Sequence, residues 1–285
     1  VNAGSGGQTV TQGSQVDVPD SAPVITGSST ENTLTINAEK DQTANVTLSD
    51  VNIDVSSEGK AAVTTTGEGN VSIELNGDNT LKSGKGHAGL EKKNGGSLTI
   101  ADEDKNGKLT AEGGKYGAGI GGGDQGAGSG ITITGGEIKA TGGQYGAGIG
   151  GGKGDGSDIT ISGGEVNATG GTSGAGIGGG YNGNGKDIII TGGEVNATGG
   201  RFSAGIGGGS RGTGSDITIS GGEVNASGGV NGAGIGGGLR SKGKDITVSG
   251  DTKLKVQGGD EDHYDGAGAG IGDGGSNAYG TKILG

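Results

Sequence analysis

Short runs of alternating apolar and polar residues recur along the chain. In Ile159-Thr-Ile161 the two Ile share one face and Thr160 takes the other. In Glu165-Val-Asn-Ala-Thr169, Val166 and Ala168 share a face. In Ala175-Gly-Ile177, Ala and Ile share a face and only Gly lies opposite. A period of two residues is that of a β-strand, not of a helix.

The three runs return in a fixed order. Ala-Gly-Ile-Gly recurs with its Ile at Ile120, Ile149, Ile177, Ile206 and Ile235, at spacings of 29, 28, 29 and 29. Between these copies the phrase Asp158–Gly171 returns at Asp187–Gly200 and Asp216–Gly229, and in variant form at Gly130–Gly143. Looser copies include Leu34-Thr-Ile36, Val46-Thr-Leu48, Val71-Ser-Ile73, Leu98-Thr-Ile100 and His87-Ala-Gly-Leu90. Self-similarity at this period predicts a solenoid. The expected fold is all-β, a single-stranded parallel β-helix of about eight coils with a repeat of about 29 residues. The crossover rule makes it right-handed. Residues 1–22 read as an N-terminal linker or cap. Residues 23–285 read as the β-helix domain, most regular over 116–250. At about 4.8 Å per coil the rod is about 40 Å long.

Composition narrows the picture. Of 285 residues 78 are Gly and only 27% are hydrophobic, so no thick globular core can form, whereas a narrow stacked core can. The 2 Pro and the missing three-residue Gly period exclude collagen. No apolar run is long enough to span a membrane in this segment. The absence of Cys removes disulfides and thiolate metal sites. A net charge of −12 without a basic stripe argues against nucleic acid and is compatible with secretion. The chain starts at Val1 without a Met or an apolar leader and reads as a mature fragment.

In a solenoid, equal positions stack into columns, and outward columns carry function. Glu137, Glu165, Glu194 and Glu223 form one, with Lys108 before it and Lys253 after. It reads as a solvated charged edge or as a cation or polycation track, with a paired-carboxylate glycosidase as the remote alternative. Beside it run Lys139, Asn167, Asn196 and Asn225, whose amides can hydrogen-bond along the rod. A Thr column (Thr132, Thr160, Thr218, Thr247), interrupted by Ile189, follows from β-propensity, with an ice-lattice match as the remote alternative. The Gly side of Ala-Gly-Ile reads as tight corners or as a seam for lateral packing.

Just before that strand one column reads Gly86, Tyr116, Tyr145, Ser173, Phe202, Asn231. Tyr116 and Tyr145 stack on adjacent coils. Aromatic rings beside a polar column are what sugar-binding surfaces use, although two Tyr can also just cover the core edge. The candidate carbohydrate-binding residues are therefore Tyr116, Tyr145, Phe202, Glu137, Glu165 and Asn167.

Metal candidates lie in loops. Asp102, Asp104 and Asn106, followed by Gly107, match the first half of an EF-hand loop; Gly113 stands where the bidentate Glu belongs. The plain alternative is an Asn-Gly turn between strands. A second acidic loop holds Asp260, Asp262 and Asp265. Asp158, Asp187, Asp216 and Asp245 precede the Ile-Thr-Ile strand and read as turn residues. Calcium is an optional ligand, and no cofactor is required.

No nucleophile constellation is present. His87 and His263 are the only His, sit far apart in the sequence, and His87 is expected to point outward. A binding role therefore ranks above catalysis.

The order "TLTI…NVTLSDVNI…VSIELNGDNTL…HAGL…SLTIADEDKNGKLTAEGGKYGAGIGGG" resembles repeat modules of large surface proteins of Gram-positive gut bacteria, described as carbohydrate-binding-domain-containing proteins. Their characterised relatives are polysaccharide-lyase-like β-helices that bind plant polysaccharide and calcium. The resemblance covers roughly residues 30–275. It implies a β-helix secreted to the cell surface or Gram-positive cell wall, and an adhesin module that binds polysaccharide or host glycan. Neighbouring modules of the same protein are the other implied partners. A purely structural stalk segment and a calcium-dependent polysaccharide lyase are the alternatives. The relatives often carry Asp-Gly-Ile where this chain has Ala-Gly-Ile.

Overall fold

The structure, a computed structural model, describes residues 1–261 and 265–275. Each regular coil holds three strands, for example Ile177–Gly178, Gly185–Ile190 and Glu194–Thr198. Every strand pairs in parallel with its equivalent one coil away. Ile149 stands opposite Ile177, Ile188 opposite Ile217, and Val195 opposite Val224. The fold is a parallel β-solenoid of about eight coils, in keeping with the repeat. Among the described residues there is no helix, and so none long and apolar enough to cross a membrane.

Among the described residues the strands form two sheets of 12 and 16 strands. The smaller stacks the two-residue Ile-Gly strands. The larger holds both longer strand types, which meet in the continuous strand Thr43–Asp54. The two Ile of Ile-Thr-Ile, the Val and Ala of Glu-Val-Asn-Ala-Thr and the Ile of Ala-Gly-Ile all point inward. Ile159, Ile161, Val166 and Ile177 are each 0% exposed. Stacked identical side chains thus fill a bore only a few residues wide, so a chain poor in large apolar residues still makes a continuous core.

At the N-terminus, Asn2–Gly4 pairs in parallel with Leu34–Ala38 and antiparallel with Gly7–Gln12, which pairs with Gln15–Pro19. These strands extend the edge of the smaller sheet. Val16 and Val18 point out of its last strand.

Two departures from the sequence reading concern Gly and Asp. The Gly side of Ala-Gly-Ile is not an exterior seam. Gly119, Gly148 and Gly176 face the ends of the Glu137–Thr141, Glu165–Thr169 and Glu194–Thr198 strands, and residues 117–123 are all buried. A Cβ on Gly176 would lie 2.6 Å from the Gly205 carbonyl oxygen and 2.7 Å from the Thr198 nitrogen. Gly178, at φ +131, occupies a backbone region closed to side chains. Asp158, Asp187, Asp216 and Asp245 sit inside strands rather than before them, at φ of 51–54°. Each is skipped in the inter-coil register at the same place on every coil, where Asp tolerates the left-handed conformation.

Candidate functional site

The register assembles the charged column. Lys108 pairs with Glu137, which continues through Glu165, Glu194 and Glu223 to Lys253. Both ends close as ion pairs, Lys108 with Glu137 at 3.0 Å and Lys253 with Glu223 at 3.8 Å. The hydrogen bond that Lys108 donates to Glu137 and the negative fields of Glu137 and Asp78 hold the Lys108 ammonium above the usual lysine pKa.

The neighbouring Asn column is a directed hydrogen-bond chain. Asn225 Nδ2 donates to Asn196 Oδ1 at 2.9 Å, and Asn196 donates to Asn167 at 3.1 Å. Asn167 donates to Glu165 Oε1 at 3.1 Å. Asn167 therefore orients a carboxylate.

At the Lys108 end of the column the surface opens into a cleft of about 450 Å³. One wall is the loop Asp102–Lys108; the other is formed by the turns carrying Glu137 and Glu165. Candidates of two kinds, Asp102 and Asn106 from the loop and Glu137 and Glu165 from the column, thus share one cavity. Lys105 joins them at φ 57, a strained turn position. The loop is held by its own acid. Asp102 Oδ1 accepts from the Asn106 amide at 3.2 Å and Oδ2 from the Gly107 amide at 3.1 Å. Gly107 lies against Leu75, where a Cβ would come within 2.4 Å of the Leu75 Cβ. Asp104 is exposed. Among the described residues no three His, Cys, Asp or Glu side chains gather as a metal-holding group.

The C-terminal acidic loop is arranged differently from its sequence reading. Asp265 is buried and takes a two-pronged ion pair from Arg240, at 2.9 and 3.0 Å. Asp260 is exposed, while Asp262 and His263 lie outside the described residues.

Tyr116 and Tyr145 stack as expected, with centroids 5.4 Å apart and planes at 17°. Tyr181 meets Tyr145 edge-on at 5.5 Å. The loop before each short strand touches the loop after the next one, so that the Tyr181 amide donates to the Tyr145 carbonyl at 2.8 Å. Tyr116 and Tyr145 thus present a face to each other, and all three rings are half-buried. Over Tyr116 stand the ammonium groups of Lys85, Lys115 and Lys153, at 5.8, 5.4 and 5.1 Å from the centroid. Phe202 stands apart from the Tyr group, under the Arg201 guanidinium at 4.9 Å. Between them in the column, Ser173 is buried.

His87 does not stand free at the surface. Its Nδ1 lies 2.7 Å from Glu91 Oε2. Glu91 is a buried carboxylate that also accepts from the Ala88 amide and pairs with Lys93. Glu91 occupies the position that later coils give to Gly121 and Gly150. Tyr181, the three Lys and Glu91 all escaped the sequence reading. A full alignment of the coils was the available signal for Glu91, since it is an acid in a Gly column.

Residues 105–124, 131–153, 159–181, 188–210 and 217–239 match the family model of a beta helix repeat. No curated protein and no solved structure matches the chain.

Proposed function

We propose that this β-helix protein is a non-catalytic adhesin module. It is secreted to the bacterial surface and binds a polysaccharide or host glycan in the cleft between the 102–108 loop and the Glu column. One observation carries the reading: Asp102, Asn106, Glu137 and Glu165 line a single open cleft together with Lys105 and Lys108. Sugars are recognised through hydroxyls, which need donors and acceptors held in fixed directions. Here Asp102 is fixed by two amides, Glu137 by Lys108 and Glu165 by the Asn chain. The column leading away from the cleft gives a linear chain room to continue along the rod. Calcium is not needed for the contacts named.

The test is binding of neutral plant and host polysaccharides to the whole chain, on an array and by titration. Glu137→Gln with Glu165→Gln should weaken binding at least about tenfold, equal to about 1.4 kcal/mol. Unchanged binding in that variant, or no binding by the parent chain, overturns the reading.

A stalk segment is the second reading. It is favoured by Val248 and Ile271, 39% and 40% exposed on the last described coil, where another module could stack. That reading predicts no glycan binding at all.

A further inference from the structure

The corner built from the Tyr loops lies apart from the cleft, and its chemistry differs. Lys85 and Lys115 occupy equal positions on successive coils, each just before the Gly86–Tyr116 step of the column. Lys153 reaches the same ring from the loop that follows the next short strand. Of these three lysines only Lys153 has an acid partner among the described residues, Asp124 at 3.7 Å. Lys85 and Lys115 are exposed and have no ion pair there, whereas Lys82, Lys108 and Lys186 each face a carboxylate. In a chain of net charge −12, three ammonium groups gathered on one ring, with Asp124 as their one acid partner among the described residues, leave a local positive excess that attracts an anion. The ring holds them in place, since a cation over an aromatic face is attracted to it. Farther along the same edge Arg201, at the position equivalent to Lys115, stands over Phe202. Cation–aromatic units repeated along a rod suit a long anionic chain better than a single small anion.

We propose that this corner binds polyanionic glycans, through sulfate esters or carboxylates seated on Lys85, Lys115 and Lys153 beside the Tyr116–Tyr145 stack. The inference does not depend on the cleft.

The experiment is affinity electrophoresis of the whole chain through gels carrying heparin, polygalacturonate or neutral dextran, at low and raised salt. The expected result is retardation by an anionic polymer and none by dextran at this corner, weakening as salt screens the charges. Heparin against polygalacturonate distinguishes sulfate from carboxylate. The variant K85Q/K115Q/K153Q should bind the anionic polymer at least about tenfold more weakly. K242Q/K244Q/K255Q has the same net charge and should bind like the parent. Retained thermal melting of both variants checks the fold. The proposal is overturned if neither polymer binds, if both variants weaken equally, or if single-stranded DNA competes as well as the glycans. Neutral-glycan binding lost only in the Glu137/Glu165 variant would report on the cleft and leave this site untouched.

Discussion

Asn196 donates to Asn167 at 3.1 Å and accepts from Asn225 at 2.9 Å, so it links both halves of the ladder. Asn225 stands next to Lys255 in the register and makes only one ladder bond of this kind. Asn196→Ala should therefore cost about 1–2 kcal/mol and Asn225→Ala about half that, at about 1 kcal/mol per bond. Urea midpoints of the two variants measure the ratio. Equal costs would mean that the amides act as separate surface groups and not as a chain.

Gly in this fold has two very different roles. Gly176→Ala drives a Cβ to within 2.6 Å of the Gly205 carbonyl oxygen and should cost more than about 3 kcal/mol. Gly59 has nothing within 4 Å of the same added atom and no positive φ. Gly59→Ala should be neutral or stabilising by up to about 1 kcal/mol, through the unfolded chain. Thermal melts of the pair decide it, and a tolerated Gly176→Ala would mean that the short strand can move away from the Glu194–Thr198 strand.

Much of this was legible in the sequence because the repeat is strict. A register of 28 or 29 residues puts Glu137, Glu165, Glu194 and Glu223 in line between Lys108 and Lys253, and Tyr116 beside Tyr145. What the alternation does not encode is how the loops close. Lys153 and Tyr181 follow a short strand while Tyr116 and Tyr145 precede one. Their meeting depends on two loops folding over a strand of only two residues. Nor does the alternation encode that Gly119 and Gly176 pack against the ends of the longer strands. The N-terminal strands were hidden for another reason: Gly7–Gln12 and Gln15–Pro19 are rich in polar residues and largely exposed, so no inward face marks them.

Asp102 spends both carboxylate oxygens on loop amides. Asp102→Ala should cost about 1 kcal/mol, as the loss of a cap does, and Asp102→Asn, which keeps one acceptor, less. The parent's melting temperature should stay unchanged on adding calcium. A calcium-dependent rise that disappears in Asp102→Ala would instead make the loop a metal site by linkage.

Glu91 stands where the repeat uses Gly, yet Glu91→Gly should destabilise by about 2 kcal/mol. It would remove a buried acceptor from the Ala88 amide, His87 and Lys93 at once. Urea unfolding of Glu91→Gly and Glu91→Gln gives the measurement; an unchanged midpoint would show that water replaces the carboxylate at no cost.

Lys92 is only 8% exposed, and its ammonium donates to the Asn94 carbonyl at 2.8 Å. Among the described residues no carboxylate pairs with it. Burial pushes its pKa below the usual lysine value. The folded state therefore releases this proton at a lower pH than the unfolded chain does. Between the two pKa values the unfolded chain holds more protons, so stability rises with pH across that window. Below the folded-state pKa the cost of burying the charge is present in full. Lys92→Met never carries that cost. Its stability relative to the parent should be most favourable at neutral pH and should decline as the pH rises toward the ordinary lysine pKa of about 10.4. Urea midpoints of both proteins across that range test it. A constant difference would mean that the Lys92 ammonium is as well solvated in the fold as in the unfolded chain.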